Sequence, residues 1–233
     1  MSYLAWQRIA EETAKALNGG AHGVVITHGT DTMSFTAAAL AFMLRGLNAP
    51  VVLTGSQRSS DRGSSDAFLN LIAATNLAAN SNIAEVGICM HASSSDDRMH
   101  FIRGVKARKM HTSRRDAFRP INDRAIAYVD RDGRISYASE YRKVGKSEAE
   151  VAANTKFEPK TALLKVYPNS DPEVMQYYMD RSYRGFILEG TGLGHTPVST
   201  GHSGNHWDEE MGTVLSSFPA YKDVKNALAK FIG

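Results

Sequence analysis

The sequence predicts an α/β protein: a three-layer domain built on a parallel sheet with helices on both faces, followed by part of a second α/β unit. Three observations carry this. Short apolar runs at residues 23–26, 50–53 and 85–90, the first two rich in β-branched residues, read as buried strands. Helical stretches separate them, and the links are short. Strand–helix–strand order with apolar strands implies βαβ units with right-handed crossovers.

Residues 4–18 carry Ile9, Ala10, Ala14 and Leu17 among Gln7, Glu11, Glu12 and Lys15, which is helical spacing. Gly19-Gly20 stops the helix. The strand at 23–26 leads to a helix over 31–47, marked by Ala37 to Leu40, Phe42, Met43 and Leu44. A second strand follows at 50–53, a helix at 66–79 and a third strand at 85–90. Residues 126–129 and 134–137 flank Asp130-Arg131-Asp132-Gly133 and read as a hairpin. Residues 139–160 are charged and weakly periodic, and are expected to be a linker. The strand pattern restarts at 162–167. A helix is expected over 172–180, with Pro172 in its first turn, and a strand at 186–188. The domains are thus placed at 1–138 and 161–233, with a divergent tail from 198 in which 219–232 can form one more amphipathic helix.

Composition narrows the function classes. With 233 residues and 42% hydrophobic content, the chain can bury a sizeable core. Basic residues number 27 and acidic residues 24, so the net charge of +3 does not by itself point to a nucleic-acid binder. One cysteine, Cys89, rules out an internal disulfide framework and fits a reducing cytosol. No stretch approaches the ~20 apolar residues of a membrane span. The first eight residues show no cationic-then-apolar leader pattern. A cytoplasmic protein is expected.

Three segments can carry chemistry. In the first, the strand at 23–26 runs into Thr27-His28-Gly29-Thr30-Asp31-Thr32, and a helix follows. Open α/β sheets bind ligands at the carboxyl ends of their strands. Helix capping accounts for one of these polar residues, not for all of them. In the second, Thr54-Gly55-Ser56-Gln57-Arg58-Ser59-Ser60-Asp61 follows the next strand. It is either a solvated loop ending in a capped helix or a second wall of the same cleft. The third, residues 103–118, is strongly basic through Arg103, Lys106, Arg108, Lys109, Arg114 and Arg115. On spacing alone it reads as a solvated face or a phosphate-binding patch. A buried lysine with a lowered pKa can take a proton from a threonine hydroxyl, but spacing does not bring Lys109 to Thr30.

These segments resemble the asparaginase/glutaminase family. His28-Gly29-Thr30-Asp31-Thr32-Met33 is similar to the family's second signature. Ser56 to Asp61, followed by Ser64-Ser65-Asp66 and Asn70, is similar to its next loop. Lys109-Met110-His111-Thr112-Ser113-Arg114-Arg115-Asp116-Ala117-Phe118 resembles the archaeal branch that serves as the amidohydrolase subunit of glutamyl-tRNA(Gln) amidotransferases. Val166-Tyr167-Pro168 and residues 187–195 are similar to the start of the family's C-terminal domain. The resemblance implies hydrolysis of a side-chain amide, glutamine or asparagine, to acid and ammonia. It makes Thr30, Asp31 and Lys109 the catalytic residues, with Thr30, Asp31 and Ser56 lining the substrate pocket. It implies no metal and no cofactor in this chain. It also implies a partner amidotransferase subunit that uses ATP and handles most of tRNA(Gln), and a homodimer.

The resemblance also implies differences. The family's first strand and its Thr-Gly-Gly-Thr-Ile-type turn do not occur in these residues, so the chain is expected to be truncated at both ends and inactive alone. An empty sheet position with unpaired backbone is expected where that strand would lie. A free asparaginase and a non-catalytic remnant that only binds partners are the alternatives. A module binding nucleic acid through 103–115 is a further one. Weaker signals are His202 and His206 beside Asp208, Glu209 and Glu210, where Gly204 and Asn205 disfavour a metal-binding helix. Gly190, Gly192 and Gly194 lack dinucleotide-loop spacing. Cys89 is expected to be a buried small hydrophobe.

Overall fold

The computed structural model describes residues 1–145, 149–168, 170–171 and 173–196. The tail expected to diverge from 198, with its helix at 219–232 and its histidine pair, lies outside the described residues, as does Pro172. Two compact units divide after Lys156.

The first unit opens with α1 (Tyr3–Asn18), β1 (Val24–Thr27) and α2 (Thr30–Met43). The short β2 (Leu44–Arg45), β3 (Val51–Thr54), α3 (Ala67–Asn80) and β4 (Val86–His91) follow. Next come β5 (Arg98–Arg103), β6 (Ala107–Lys109), β7 (Phe118–Pro120), β8 (Ala127–Asp130), β9 (Ile135–Tyr137) and β10 (Ala152–Ala153). The main sheet has the order β1-β3-β4-β5-β8-β9. Helices α1 and α2 cover one face, where Ala14, Met33 and Leu40 pack on Leu53, Ile88 and Ile102. Helix α3 covers the other, where Ala74 and Leu77 pack on Val52, Cys89 and Phe101. Alternate residues of β3 and β4 therefore enter different cores, which is why both strands are apolar through most of their length and fully buried. Gly87 in β4 has no room for a side chain: a Cβ there would collide with the Phe101 ring and the Ile102 carbonyl.

The α/β class and the three layers are as the sequence predicts. The sheet, however, is mixed. Strands β1, β3 and β4 are parallel, whereas β5, β8 and β9 are antiparallel to their neighbours. The strand β5, Arg-Met-His-Phe-Ile-Arg, escapes an apolar-run reading because charged residues close both its ends. Residues 92–97 turn tightly between β4 and β5, so no crossover helix is needed. The helix expected to reach residue 47 ends at Met43. There Leu44 and Arg45 leave the helix to pair with Ala153 and Ala152.

Within the stretch expected as a linker over 139–160, the backbone also bonds to the first unit. Lys143 bridges to Ile83, and the Arg142 carbonyl accepts a bond from the Ala84 amide. Asn18 exchanges two hydrogen bonds with the Val151 backbone, and Val151 is buried. Glu140, Arg142, Lys143, Glu150 and Lys156 are exposed, while backbone near them adds to the first unit. Strand β1 forms one edge of the sheet, and its partly exposed side chains contrast with the buried β3 beside it.

The second unit contains β11 (Thr161–Lys165), α4 (Glu173–Asp180) and β12 (Gly185–Glu189). β11 and β12 pair in parallel across the helix, a single βαβ element. Among the described residues, no helix is long and apolar enough to cross a membrane.

Candidate active site

The carboxyl ends of β1 and β3 lie side by side, with Thr27 opposite Thr54 and the His28 amide bonded to the Thr54 carbonyl at 2.8 Å. Each strand then runs into one of the polar segments. From β1 the chain turns at His28-Gly29 into α2, whose first two residues are Thr30 and Asp31. Gly29 offers no side chain to cap the helix. The helix therefore has no side-chain cap, and the positive end of its dipole lies at this sheet rim. Asp31 suits that position electrostatically.

His28 is braced. Its Nδ1 lies 2.6 Å from the Gly29 carbonyl and its Nε2 2.9 Å from the buried Thr36 hydroxyl, which also accepts from Trp6 Nε1. From β3 the chain turns through Gly55 and the half-buried Ser56. A Cβ on Gly55 would collide with the His28 carbonyl, so glycine is what lets the two turns approach.

Lys109 reaches the same rim from far along the chain. It ends β6, which pairs antiparallel with β7, Lys109 opposite Phe118. Phe118 is fully buried in the core shared with α2 and anchors the hairpin there. The lysine stem is largely covered, with 14% of the side chain exposed, and its Nζ meets two partners. It donates to Thr30 Oγ1 at 2.9 Å and to Asp31 Oδ1 at 2.6 Å. The Lys109 hydrogen bond and charge hold the Asp31 carboxyl below its ordinary value, although Asp31 itself is exposed. Spacing gave no reason to bring Lys109 to Thr30. The hairpin does so across 79 positions.

Elsewhere in the basic segment Lys106 and Arg108 are exposed, while three arginines are held in ion pairs. Arg103 pairs with Glu85 and Asp123, Arg114 with Asp116, and Arg115 with Asp96. Asp116 is buried and accepts both Arg114 Nε and Nη2 at 2.9 Å, with Arg119 as a third partner. Those hydrogen bonds and charges keep its carboxyl below the ordinary range against the opposing effect of burial. Cys89 is buried as expected, and burial pushes its thiol far up. Among the described residues, no group of three or more His, Cys, Asp or Glu side chains gathers as a metal site.

The family model for the asparaginase N-terminal domain matches residues 1–142. The chain belongs to the asparaginase family. A glutamyl-tRNA(Gln) amidotransferase subunit from Thermococcus kodakarensis is 58% identical over 193 residues, covering 82% of this chain and 43% of that protein. The subunit of the same name from Methanopyrus kandleri is 54% identical over 196 residues, covering 82% of this chain and 42% of that protein. This asparaginase-family chain thus spans less than half the length of the curated relatives it matches. Among solved structures, the thermostable L-asparaginase of Thermococcus kodakarensis superposes with a TM-score of 0.79 at 29% identity, covering 94% of this chain and 61% of that one.

The family loop includes Asp66 and Asn70, but sequence reasoning gives them no role behind the Ser56 turn, and it misses His91. Asp66 occupies the N-cap position of α3 but makes no capping bond there. Its carboxylate turns back to the loop amides instead. His91 at the end of β4 is fully buried between Asn70 and Asp96. Nothing in local spacing marks it as more than a strand residue.

Proposed function

We propose that this chain carries the amide-splitting site of a glutaminase that supplies ammonia for converting glutamyl-tRNA(Gln) to glutaminyl-tRNA(Gln). The observation that carries the reading is Lys109 Nζ hydrogen-bonded at once to Thr30 Oγ1 and Asp31 Oδ1. A threonine hydroxyl needs a base to act on an amide at neutral pH. In its amine form, the lysine nitrogen lies one hydrogen bond from the proton it must take, while Asp31 orients it. The exposed Asp31 carboxylate can also receive a substrate α-ammonium. The uncapped first-turn amides of α2 suit a substrate carboxylate or a developing oxyanion. Ser56 lines the pocket from the neighbouring turn. Attack of Thr30 Oγ1 on the amide carbonyl breaks the C–N bond and expels ammonia, which takes the proton relayed by the lysine; water then hydrolyses the resulting ester to the carboxylic acid and restores the hydroxyl. The reaction uses side chains and backbone dipoles, with no resident metal or cofactor.

The high identity to glutamyl-tRNA(Gln) amidotransferase subunits supports glutamine as substrate and a partner subunit; that the partner uses ATP and holds most of tRNA(Gln), a homodimer and a cytoplasmic setting belong to the same proposal. The structural likeness to L-asparaginases supports free asparagine hydrolysis as the second reading.

The test is ammonia release from glutamine and from asparagine, with and without a partner subunit and tRNA(Gln). Lys109→Met should lower the assembled enzyme's turnover by about 10²–10⁴-fold, the usual worth of a positioned acid–base group. Unchanged turnover in that variant, or asparagine preferred with no response to tRNA, would reject the reading.

A further inference from the structure

The Ser56 turn is held by buried groups that do not face the cleft. Asp66 is fully buried, and its carboxylate accepts the Gln57 amide at 3.1 Å and the Arg58 amide at 3.0 Å. One helical turn later, the equally buried Asn70 donates from Nδ2 to the Gly55 carbonyl and to Asp66 Oδ2, both at 2.9 Å. Ser56 is therefore bracketed: the peptide groups on either side of it are fixed by two side chains of the same stretch of chain.

The clamp extends sideways. Because Asn70 spends its amide nitrogen on Gly55 and Asp66, its oxygen is what faces His91 Nδ1, at 2.7 Å. His91 Nε2 lies 3.1 Å from Asp96 Oδ1, which also accepts Arg115 Nη1 at 2.6 Å. Arg115 returns to the loop through the Ser64 carbonyl at 2.8 Å. It belongs to the 110–117 turn of the hairpin that carries Lys109. A second tie joins Gln57 Nε2 to the Arg114 carbonyl at 2.9 Å.

We propose that Asp66, Asn70 and His91 are positioning residues that fix the Ser56 turn and lock it to the Lys109 hairpin, so that the two walls of the cleft keep one spacing. The assignment of Ser56 to a substrate pocket rests on the functional reading above. The clamp itself rests on geometry alone. Burial raises the worth of such a network, because a group left unpaired there has no water to replace its partner.

The test reads the turn directly. In the 233-residue protein, amide hydrogen exchange at Gln57 and Arg58 should speed up by at least about tenfold in Asp66→Ala, given the usual worth of a charge-assisted bond. Asp66→Asn keeps one acceptor oxygen and should fall between the two; it also serves if the alanine variant does not fold. His91→Phe should speed the Gln57 amide in the same direction. The control is Asn76→Ala, which removes the 2.6 Å bond to the Gly133 carbonyl elsewhere on α3. It should lower the melting temperature and leave Gln57 and Arg58 unchanged.

If Asp66 and Asn76 variants lose comparable stability and neither alters exchange at the turn, the proposal is wrong. In the assembled enzyme, Asp66→Asn and His91→Phe should raise KM for glutamine about tenfold while kcat changes less than about twofold, the pattern of lost ground-state binding. Faster exchange with KM unchanged would keep the clamp and remove Ser56 from the pocket, which counts against the functional reading instead.

Discussion

Replacing Asp116 by asparagine tests whether the hairpin carrying Lys109 is held by its buried carboxylate. Asp116 is 3% exposed and accepts two parallel bonds from Arg114, with Arg119 as a third donor. Breaking a fully buried ion pair costs about 3–5 kcal/mol. Here the two arginine side chains remain 55% and 43% exposed, so water re-solvates them when the carboxylate is lost. The expected loss is therefore nearer to about 2 kcal/mol, the range of a hydrogen bond to a charged group. With a urea slope of about 2 kcal/mol per molar, the midpoint followed by circular dichroism should fall by about 1 M.

The same substitution predicts a pH signature. The carboxyl lies below its ordinary range in the folded chain, so its contribution is complete above the unfolded carboxylate value. It is lost as pH falls through the lowered folded value. The gap between the native protein and Asp116→Asn should hold constant from about pH 5 to 8 and close below about pH 4. Midpoints that agree at pH 7 to within about 0.2 M would refute the reasoning, because a clamp of this geometry cannot be worth so little.

His100 should lose stability in the same direction, as pH falls, but in a higher window. Burial first, then the charge of Arg119, push its imidazole down to about 4. The unfolded chain then binds a proton that the folded chain refuses. Stability should be full above about pH 6.5, fall by about 3 kcal/mol toward pH 4 and level off below, and His100→Gln should flatten that interval. Gly87→Ala should lower stability by about 1–3 kcal/mol, since its Cβ would press on Phe101 and on the β5 backbone. An unaltered urea midpoint would mean that β4 and β5 can separate at no cost.

The first half of the site was legible because its chemistry is local. Thr30 and Asp31 lie directly after a buried strand, and the general rule for ligand position in open sheets applies to them without further knowledge. Ser56 follows the adjacent strand for the same reason. Lys109 was not legible from spacing, because the hairpin that delivers it is anchored by Phe118 in a core built largely from α1, α2 and the sheet. The family motif, not the periodicity, pointed to it.

The bonds of Asp66 are not legible locally: a carboxylate at a helix N-cap can cap that helix, yet here the loop amides take it. Strand β5 was missed because its end charges hide the alternation of Met99 and Phe101 into the core. The stretch after 139 looked like a linker because its side chains are solvated, whereas its backbone bonds are what tie it to the first unit.

The account stands on a lysine nitrogen shared between a threonine hydroxyl and an aspartate at one sheet rim. Carbon-detected NMR titration of the Asp31 carboxyl measures this in the 233-residue protein, whatever its turnover. In the native chain Asp31 should titrate below its ordinary value of 3.8, and Lys109→Met should return it to about that value. An Asp31 that titrates normally in both proteins would show that Lys109 is elsewhere.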